Sequence, residues 1–379
     1  MASGASIERA TTPSGDSAWR VTGYDSVRAL LGDARLRRTL PQPVQGARYS
    51  NSAMLGQTGD PFSQPENHQQ LRRLLTASLS ARRMSSLRPR VQTLVDGLLD
   101  EMARRTPPVD LHEALSFPLP ALVICELLGV PYEDREDFRR WSDEAGSLDD
   151  RARSQAGMGA LAAYVGGLVE RKRGQPAADV ISDLVAASDQ DPATVPPELV
   201  PRLAAALLFA GHETTVMAID KGVILLLASE GLREAVVRHP DELYPAVEEI
   251  LRVPHPVPNQ QTVRDFGLPR YASEDVEFGG ITIARGDLVM LSTRSANLDE
   301  RIFPAPQELD VTRGANPHLA FGFGPHFCLG APLARMELQT VFGTLLRRFP
   351  TLRLAVPAEE LRPRTATLTG GVLELPVTW

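Results

Sequence analysis

The sequence predicts a mainly α-helical protein with small β-sheets, of the α+β class. Apolar residues recur at helical spacing through most of the segment 67–252. The alternation typical of strands is confined to "EDVEFGGITIARGDLVMLSTRSAN" (274–297) and to the C-terminal "GGVLELPVTW" (370–379). No internal repeat or low-complexity linker interrupts the chain, so we expect a flexible N-terminal tail at 1–15 and a single domain at 16–379.

Helical segments account for most of the predicted structure. A short helix, "DSVRALLGD", ends at Gly32. Residues 41–66 are rich in Pro, Gly, Ser and Gln and predict a long loop, a kind that in compact domains is usually functional or disordered. The longer helices are predicted at 67–78, 84–105, 112–128, 133–145, 151–173, 178–189, 197–229, 231–238 and 241–252.

Composition and charge narrow the possible partners and the location. The 379 residues are 43% hydrophobic and carry a net charge of −7, which argues against nucleic acid or an anionic membrane as partner. The first residues lack the apolar core of a secretory signal. The longest apolar run, 203–227, argues against a membrane span because it contains His212, Glu213, Asp220 and Lys221. We therefore expect a cytoplasmic protein.

One of the two cysteines, Cys328, lies in the segment "FGFGPHFCLGAPLARME" (321–337). Pro332 suits the first turn of a helix, so Cys328 is expected just before a helix N-terminus, where the dipole and free N–H groups stabilise a thiolate. A thiolate can be the single axial ligand of haem iron. A buried structural cysteine is the alternative. A dinucleotide-binding loop is excluded because the third glycine of GxGxxG would fall at Phe327.

The pattern Phe321-x-x-Gly324-x-x-x-Cys328-x-Gly330 resembles the haem-binding loop of the cytochrome P-450 superfamily, the haem-thiolate monooxygenases. The resemblance implies the single-domain cytochrome P-450 fold, with haem b as cofactor. It makes Cys328 the axial ligand of the haem iron. It also places Phe321, Gly324 and Gly330 against the cofactor, where glycine lets the backbone come close.

The predicted central helix carries the segment "FAGHETT" in its middle. Gly211 weakens the helix there, and the hydroxyl of Thr214 can bond back to the carbonyl of Ala210. A simple helix kink with a buried polar pair would explain the same residues. The family carries a Gly-x-acid-Thr segment at this place, which implies that Ala210 and Gly211 border the haem. By the same resemblance, Thr214 stabilises bound oxygen and Glu213 relays protons.

Two further constellations occur in the family's order. His68-x-x-x-Arg72 places two cationic groups on one helix face. With Arg270 and His326, these residues match the family's contacts to the haem propionates; taken singly, each is more typical of a solvated surface group.

Glu249-x-x-Arg252 would normally be an exposed pair of little energetic worth. In the family such a pair locks the core, so the resemblance implies a structural role. Two departures remain. Glu308 and Leu309 stand where many members have a basic residue and Phe, which puts the pair's outer contact in doubt. The segment "GDPFSQPENHQQ" before the first motif is longer and more polar than usual.

The resemblance implies an oxidoreductase that activates O2 and hydroxylates or epoxidises a bulky, mostly apolar small molecule, as in the tailoring of natural products in secondary metabolism or antibiotic biosynthesis. No flavin or iron–sulfur signature is present, so electrons are expected from a separate ferredoxin and its reductase. Arginines such as Arg335 would meet that acidic partner. Atypical oxidation by the same haem-thiolate site, a non-catalytic haem-binding protein and a haem-free helical binding protein remain as alternatives.

Substrate contacts are the least constrained part of the sequence. Residues next to the implied site are the candidates, and ordinary core packing is the alternative for each of them. The segments 41–62 and 146–180 match regions that vary with substrate in the family, and we expect them to form a lid. The candidate contacts are Phe209, Val257, Leu368 and Thr369.

Overall fold

A computed structural model describes residues 6–39, 47–52, 65–257, 266–365 and 367–379. The fold is mainly helical, as predicted, and the predicted helices lie within three residues of their observed bounds. A π-helix, His112–Ser116, leads into the fourth α-helix. The α-helices are α1 (Tyr24–Gly32), α2 (Pro65–Ser78), α3 (Ala81–Ala103), α4 (Pro118–Leu128), α5 (Arg135–Ala145), α6 (Arg151–Gly174), α7 (Val180–Gln190), α8 (Leu199–Ala228), α9 (Glu230–Arg238), α10 (Leu243–Arg252), α11 (Thr293–Asn297) and α12 (Ala331–Arg348).

Three small sheets flank the helices. The largest has the strand order β1-β2-β8-β5-β3, in which β2 and β8 are parallel and the other neighbours antiparallel. The others are the three-stranded sheet β4-β10-β9 and the hairpin β6-β7. The strands are β1 (Ser6–Thr11), β2 (Ser17–Thr22), β3 (Leu36–Arg37), β4 (Val109–Asp110), β5 (Leu268–Ala272), β6 (Val276–Phe278), β7 (Ile281–Ile283), β8 (Leu288–Leu291), β9 (Arg353–Leu354) and β10 (Pro376–Thr378).

The prediction of a flexible tail at 1–15 is wrong for residues 6–11. Residues 6–11 form β1, which pairs antiparallel with β2 over six residue pairs. The turn between them uses Gly15 at φ 88°. Among the described strands β1 lies at the edge of its sheet and pairs with β2, so it needs little apolar alternation of its own and its sequence is largely polar. The predicted loop 41–66 and its lid portion 41–62 lie mostly outside the described residues.

Helix α8 forms the centre of the helical core. Its side chains pack against α4, α6, α10 and α12. A Cβ at Gly222 would lie 2.1 Å from Phe342 Cζ, so glycine is what lets α8 and α12 approach this closely. By length and composition alone α8 could cross a membrane, but 72% of its apolar window is buried inside the protein. Its hydrophobicity is therefore that of a core helix.

Candidate active site

The loop that carries Cys328 is held by its own backbone. The Cys328 N–H donates to the Phe321 carbonyl at 2.9 Å, and the Phe327 N–H donates to Gly324 at 3.0 Å. Helix α12 begins at Ala331, with Gly330 as its N-cap and Pro332 in its first turn. Cys328 is exposed, whereas Cys125 is buried. The loop thus presents the thiol just before a helix N-terminus, as the sequence predicted.

Gly324 has a packing role besides its predicted approach to a cofactor, which stays a prediction. Its φ is +70°, and a Cβ there would lie 3.0 Å from Gly32 Cα and 3.2 Å from the Leu31 carbonyl oxygen. The glycine therefore lets the cysteine loop pack on the end of α1. Gly330 lies beside the thiol, since a Cβ built on this glycine would lie 3.8 Å from Cys328 Sγ.

A charged cluster braces the same loop from the side of α10. The Arg335 guanidinium lies 4.6 Å from the centre of the Phe321 ring and forms two hydrogen bonds of 2.7 Å to Glu248. His318 Nε2 lies 3.2 Å from Glu248 Oε2. Burial acts to raise the pKa of Glu248, but the hydrogen bonds from Arg335, together with the nearby His318 imidazole, outweigh it and lower that pKa to about 2. Arg335, predicted to meet a redox partner, is instead tied to Glu248.

The four residues predicted to contact propionates come from three separate parts of the chain and converge. The rings of His68 and His326 lie 4.4 Å apart. Arg72 Nη1 donates to the Phe327 carbonyl at 2.8 Å, next to Cys328. Burial lowers the pKa of His326 to about 3, and the positive charge of Arg270 is the next cause. The residues therefore form one cationic cluster beside the thiol.

Arg270 shows what kind of ligand this cluster suits. It lies on β5, is 5% exposed, and donates through Nη1 to the adjacent Pro269 carbonyl at 2.8 Å. Its Nε has no hydrogen-bond partner among the described residues. Burial, together with the positive charge of Arg38, lowers its pKa to about 9. A buried guanidinium is costly without an anion. The donor set thus fits a dianionic group such as the two propionates of haem.

The middle of α8 has the predicted local geometry. Thr214 Oγ1 donates to the Ala210 carbonyl at 2.8 Å, which confirms the predicted back-bond. Ala210 and Thr214 are exposed on one face of a helix whose neighbouring residues are largely buried. Gly211 faces the other way, because a Cβ there would lie 2.6 Å from Ile124 Cδ1 on α4. Gly211 thus allows close packing against α4, and its predicted contact with the cofactor stays a prediction.

Glu213 is buried and held by residues that the sequence did not reveal. Its Oε2 accepts from Arg364 Nη1 at 3.4 Å and from Thr369 Oγ1 at 3.3 Å. Arg364 Nη2 also donates to Asp143 Oδ1, on α5, at 2.6 Å. Arg364 and Asp143 lie far from Glu213 in sequence and share no motif with it. Only the fold brings them together.

The pair Glu249–Arg252 is formed and fully buried. Its two hydrogen bonds are 2.8 and 2.7 Å long, and Arg252 donates further to the carbonyls of Asn297, Pro306 and Glu308. The outer contact that Glu308 put in doubt comes from elsewhere: Arg313 Nε donates to Glu249 Oε1 at 3.2 Å. A basic residue five positions further along the chain supplies the missing cation.

The predicted substrate contacts differ in their surroundings. Phe209 and Val257 are buried, at 5% and 3% exposure. The Leu368 N–H donates to the Gly146 carbonyl at 3.1 Å, so the C-terminal segment is tied to the end of α5. Thr369 contacts Glu213 directly. Of the four, Thr369 is therefore the one that the structure joins to the acid.

An exposed thiol beside two arginines and two imidazoles that suit two propionates indicates a haem-thiolate protein. The sequence model of the family "Cytochrome P450" matches residues 243–373. The chain is 40% identical over 369 residues to pentalenolactone synthase of Streptomyces exfoliatus, covering 96% of this chain and 91% of that protein. It is also 40% identical over 386 residues to the mycinamicin IV hydroxylase/epoxidase of Micromonospora griseorubida, covering 98% and 92%.

The solved structures agree with the sequence comparisons. The mycinamicin VIII C21 methyl hydroxylase of Micromonospora griseorubida, bound to mycinamicin VIII, superposes with a TM-score of 0.89 at 35% identity, covering 99% of this chain and 94% of that one. The chain belongs to the cytochrome P450 family. It is therefore a monooxygenase of the haem-thiolate type, which acts on O2 and an organic substrate and receives electrons from a redox partner.

Proposed function

We propose that this P450 binds haem b with the Cys328 thiolate as axial ligand and with the propionates against His68, Arg72, Arg270 and His326. The observation that carries the proposal is the buried Arg270, within a cationic cluster beside the exposed thiol. Within the described ranges its Nε has no hydrogen-bond partner. A propionate would supply the anion that the buried guanidinium needs. Phe321 and Gly330 border the same loop and complete the proposed contact surface.

When bound, the haem supplies the reductive activation of dioxygen that oxidises the substrate, and the thiolate ligand favours cleavage of the O–O bond. The residues on α8 then manage protons. The Thr214 hydroxyl can release the Ala210 carbonyl and donate towards the exposed face instead. Glu213 is the acid that restores protons, and Arg364 and Thr369 hold its carboxylate while it is ionised.

The substrate class is proposed from the relatives. Their printed names describe a mycinamicin hydroxylase/epoxidase and a pentalenolactone synthase, and the superposed structure is bound to mycinamicin VIII. We therefore assign to this chain the hydroxylation or epoxidation of a bulky, mostly apolar natural product. Thr369, which contacts Glu213, is the proposed substrate contact nearest the acid, and Leu368 precedes it in the chain. Phe209 and Val257, both buried, remain the other two proposed contacts.

A separate ferredoxin and its reductase are the proposed electron source, and the cytoplasm is the proposed location. Because Arg335 is committed to Glu248, the docking surface is better assigned to the other side of the cysteine loop. There Arg72 contacts the Phe327 carbonyl, Phe327 is 38% exposed, and Arg73 is exposed on the next position of α2. A cationic, partly apolar patch suits an acidic electron-transfer protein.

The test is the absorption spectrum of the reduced protein under carbon monoxide. We expect the strongly red-shifted Soret band of a thiolate-ligated haem in the wild type and in Cys125→Ser, and its loss in Cys328→Ser. Cys125 is the matched control because it is the chain's other cysteine and is buried, and burial raises the pKa of its thiol to about 12. An unchanged band in Cys328→Ser would refute the assignment.

Turnover of Thr214→Ala then separates a monooxygenase from a protein that only carries haem. We expect this variant to keep the thiolate spectrum but to lose substrate oxidation by about 100-fold or more, the effect typical of removing a group that acts in proton transfer. Wild-type protein with the thiolate spectrum but no oxidation of any compound that shifts its ferric band would favour the non-catalytic alternative.

A further inference from the structure

His212, the residue before Glu213 on α8, is fully buried in an aromatic cage. Its ring lies 4.7 Å from the ring of Phe117 and 5.0 Å from that of Phe138. Its Nε2 is 3.3 Å from the Phe117 carbonyl oxygen. Its Nδ1 lies 3.5 Å from Glu213 Oε1 and has no hydrogen-bond partner in the part of the chain that the structure describes. The ring is thus fixed between a carbonyl on one side and a carboxyl group on the other.

The contacts determine which ring nitrogen carries the proton. A carbonyl oxygen only accepts, so Nε2 must be the N–H that faces Phe117. Burial lowers the pKa of His212, and although the charge of Glu213 opposes this, the ring is neutral near neutral pH. Nδ1 therefore presents a lone pair to Glu213 Oε1. Two acceptors this close in a buried site repel each other unless a proton lies between them.

The other edge of the same carboxyl group has the opposite surroundings. Arg364 and Thr369 both donate to Oε2, so that oxygen accepts two hydrogen bonds. Arg364 is in turn paired with Asp143, while the positive charges of Arg364 and Arg139 both reach the His212 ring. Glu213 thus has donors on Oε2 and a lone-pair acceptor facing Oε1, so the site accommodates it both with and without its proton.

We propose that His212 is a positioning residue for proton delivery, which holds the acidic proton of Glu213 between Oε1 and its own Nδ1. The proton leaves Oε1 for the reaction, the carboxylate that remains is held by Arg364 and Thr369, and a proton from solvent restores the acid. No other bond changes in this cycle. The inference rests on the proposed proton-supplying role of Glu213.

The first test reads the tautomer directly, without turnover. The experiment uses the haem-loaded protein labelled with ¹⁵N-histidine, whose 7 histidines each give ring signals. The signal of His212 is the one that disappears in a His212 variant. We expect a neutral ring protonated at Nε2, with Nδ1 as acceptor. A ring protonated at Nδ1 instead, or an imidazolium at neutral pH, would overturn the proposal. Failure of the proposed function is seen separately, in the carbon monoxide spectrum.

A pair of substitutions separates proton sharing from a packing role. Asn places its amide where ring Nδ1 lies, and Gln places its amide where Nε2 lies. His212→Gln keeps the donor to Phe117 and more of the volume but loses the acceptor facing Glu213. His212→Asn keeps an acceptor there and loses volume, so a packing role would make Asn the worse substitution.

The readout is the fraction of consumed reducing equivalents that appears in product, measured with the solvent isotope effect on that fraction. We expect His212→Gln to lower this fraction by about tenfold and to enlarge the isotope effect, with His212→Asn closer to wild type. A Gln variant that is as well coupled as the Asn variant, or better, would overturn the proposal.

Discussion

Replacing Arg270 by Met should have opposite effects on the haem-free and haem-loaded protein. Arg270 is a buried cation on β5, and its Nε has no hydrogen-bond partner among the residues that the structure describes. Met has a similar reach and no charge, so it removes a desolvation penalty. In the loaded protein the same cation is proposed to bind a propionate, and its removal then deletes a charge-assisted hydrogen bond.

The magnitude follows from the pKa of Arg270. Burial lowers that pKa from 12.5 to about 9. Since each pKa unit corresponds to about 1.4 kcal/mol, keeping the guanidinium charged there costs on the order of 5 kcal/mol. Part of the gain on substitution is offset because Met packs less completely than Arg, so we expect a net stabilisation of the haem-free protein of about 1–4 kcal/mol. Losing the contact to haem should weaken the free energy of haem binding by about 1.5–3 kcal/mol.

The assay compares unfolding midpoints in denaturant for both forms and measures the rate of haem transfer to a scavenger protein. Arg270→Met should shift the haem-free midpoint upward and accelerate haem loss by roughly tenfold to a hundredfold. Arg252→Met is the control, because its buried guanidinium is paired with Glu249 and with three carbonyls, so both forms should lose stability. Destabilisation of the haem-free form by Arg270→Met would refute the reasoning.

Three further outcomes follow from particular contacts. Gly322→Ala should lower the free energy of unfolding by about 1–2 kcal/mol, because alanine is strained at its φ of +72°. Gly324→Ala should lower it further, because a Cβ there also meets the backbone of α1. Equal shifts in the unfolding midpoint would contradict this. Burial, reinforced by the charge of Lys221, lowers the pKa of His255 from 6.5 to about 3. As the pH falls from 6.5 to about 3, the unfolded chain therefore binds a proton at His255 that the folded chain does not bind. Stability should therefore fall towards acid pH by up to about 1.4 kcal/mol per pH unit, and His255→Gln should flatten the profile measured by denaturant unfolding. Arg364→Met should leave the carbon monoxide spectrum unchanged and lower the product formed per O2 consumed, because the Oε2 edge of Glu213 keeps only one donor; unchanged coupling would argue against this role.

Local patterns were enough to predict the parts of the site that lie within one element. Thr214 and Ala210 are four residues apart on one helix, so their hydrogen bond follows from helical geometry alone. Cys328 lies before a proline-led helix for a similarly local reason. The mainly helical class followed from periodicity, since most helices here bury a broad apolar face.

The edge strands were less predictable from the sequence, because their structure depends on pairing with strands that are distant in the chain. Strand β1 has little apolar alternation, and its pairing with β2 within a sheet extended by β8 gives it structure. Two glycines show the same limit of prediction from local sequence. The sequence identified Gly211 and Gly324 as special, but only packing revealed that they make room for Ile124 on α4 and for the end of α1.

The sequence by itself determined the local placement of the Cys328 thiol, the Glu213–Thr214 pair and the Glu249–Arg252 pair, because each is a short pattern whose members share a helix or a loop. The tertiary structure alone decided what surrounds them. Arg364 reaches Glu213 across 151 positions of chain, and Arg313 reaches Glu249 across 64. The physical reason is that a buried charge needs a partner in space, and any cation that the fold brings within reach satisfies it, whatever its position in the sequence.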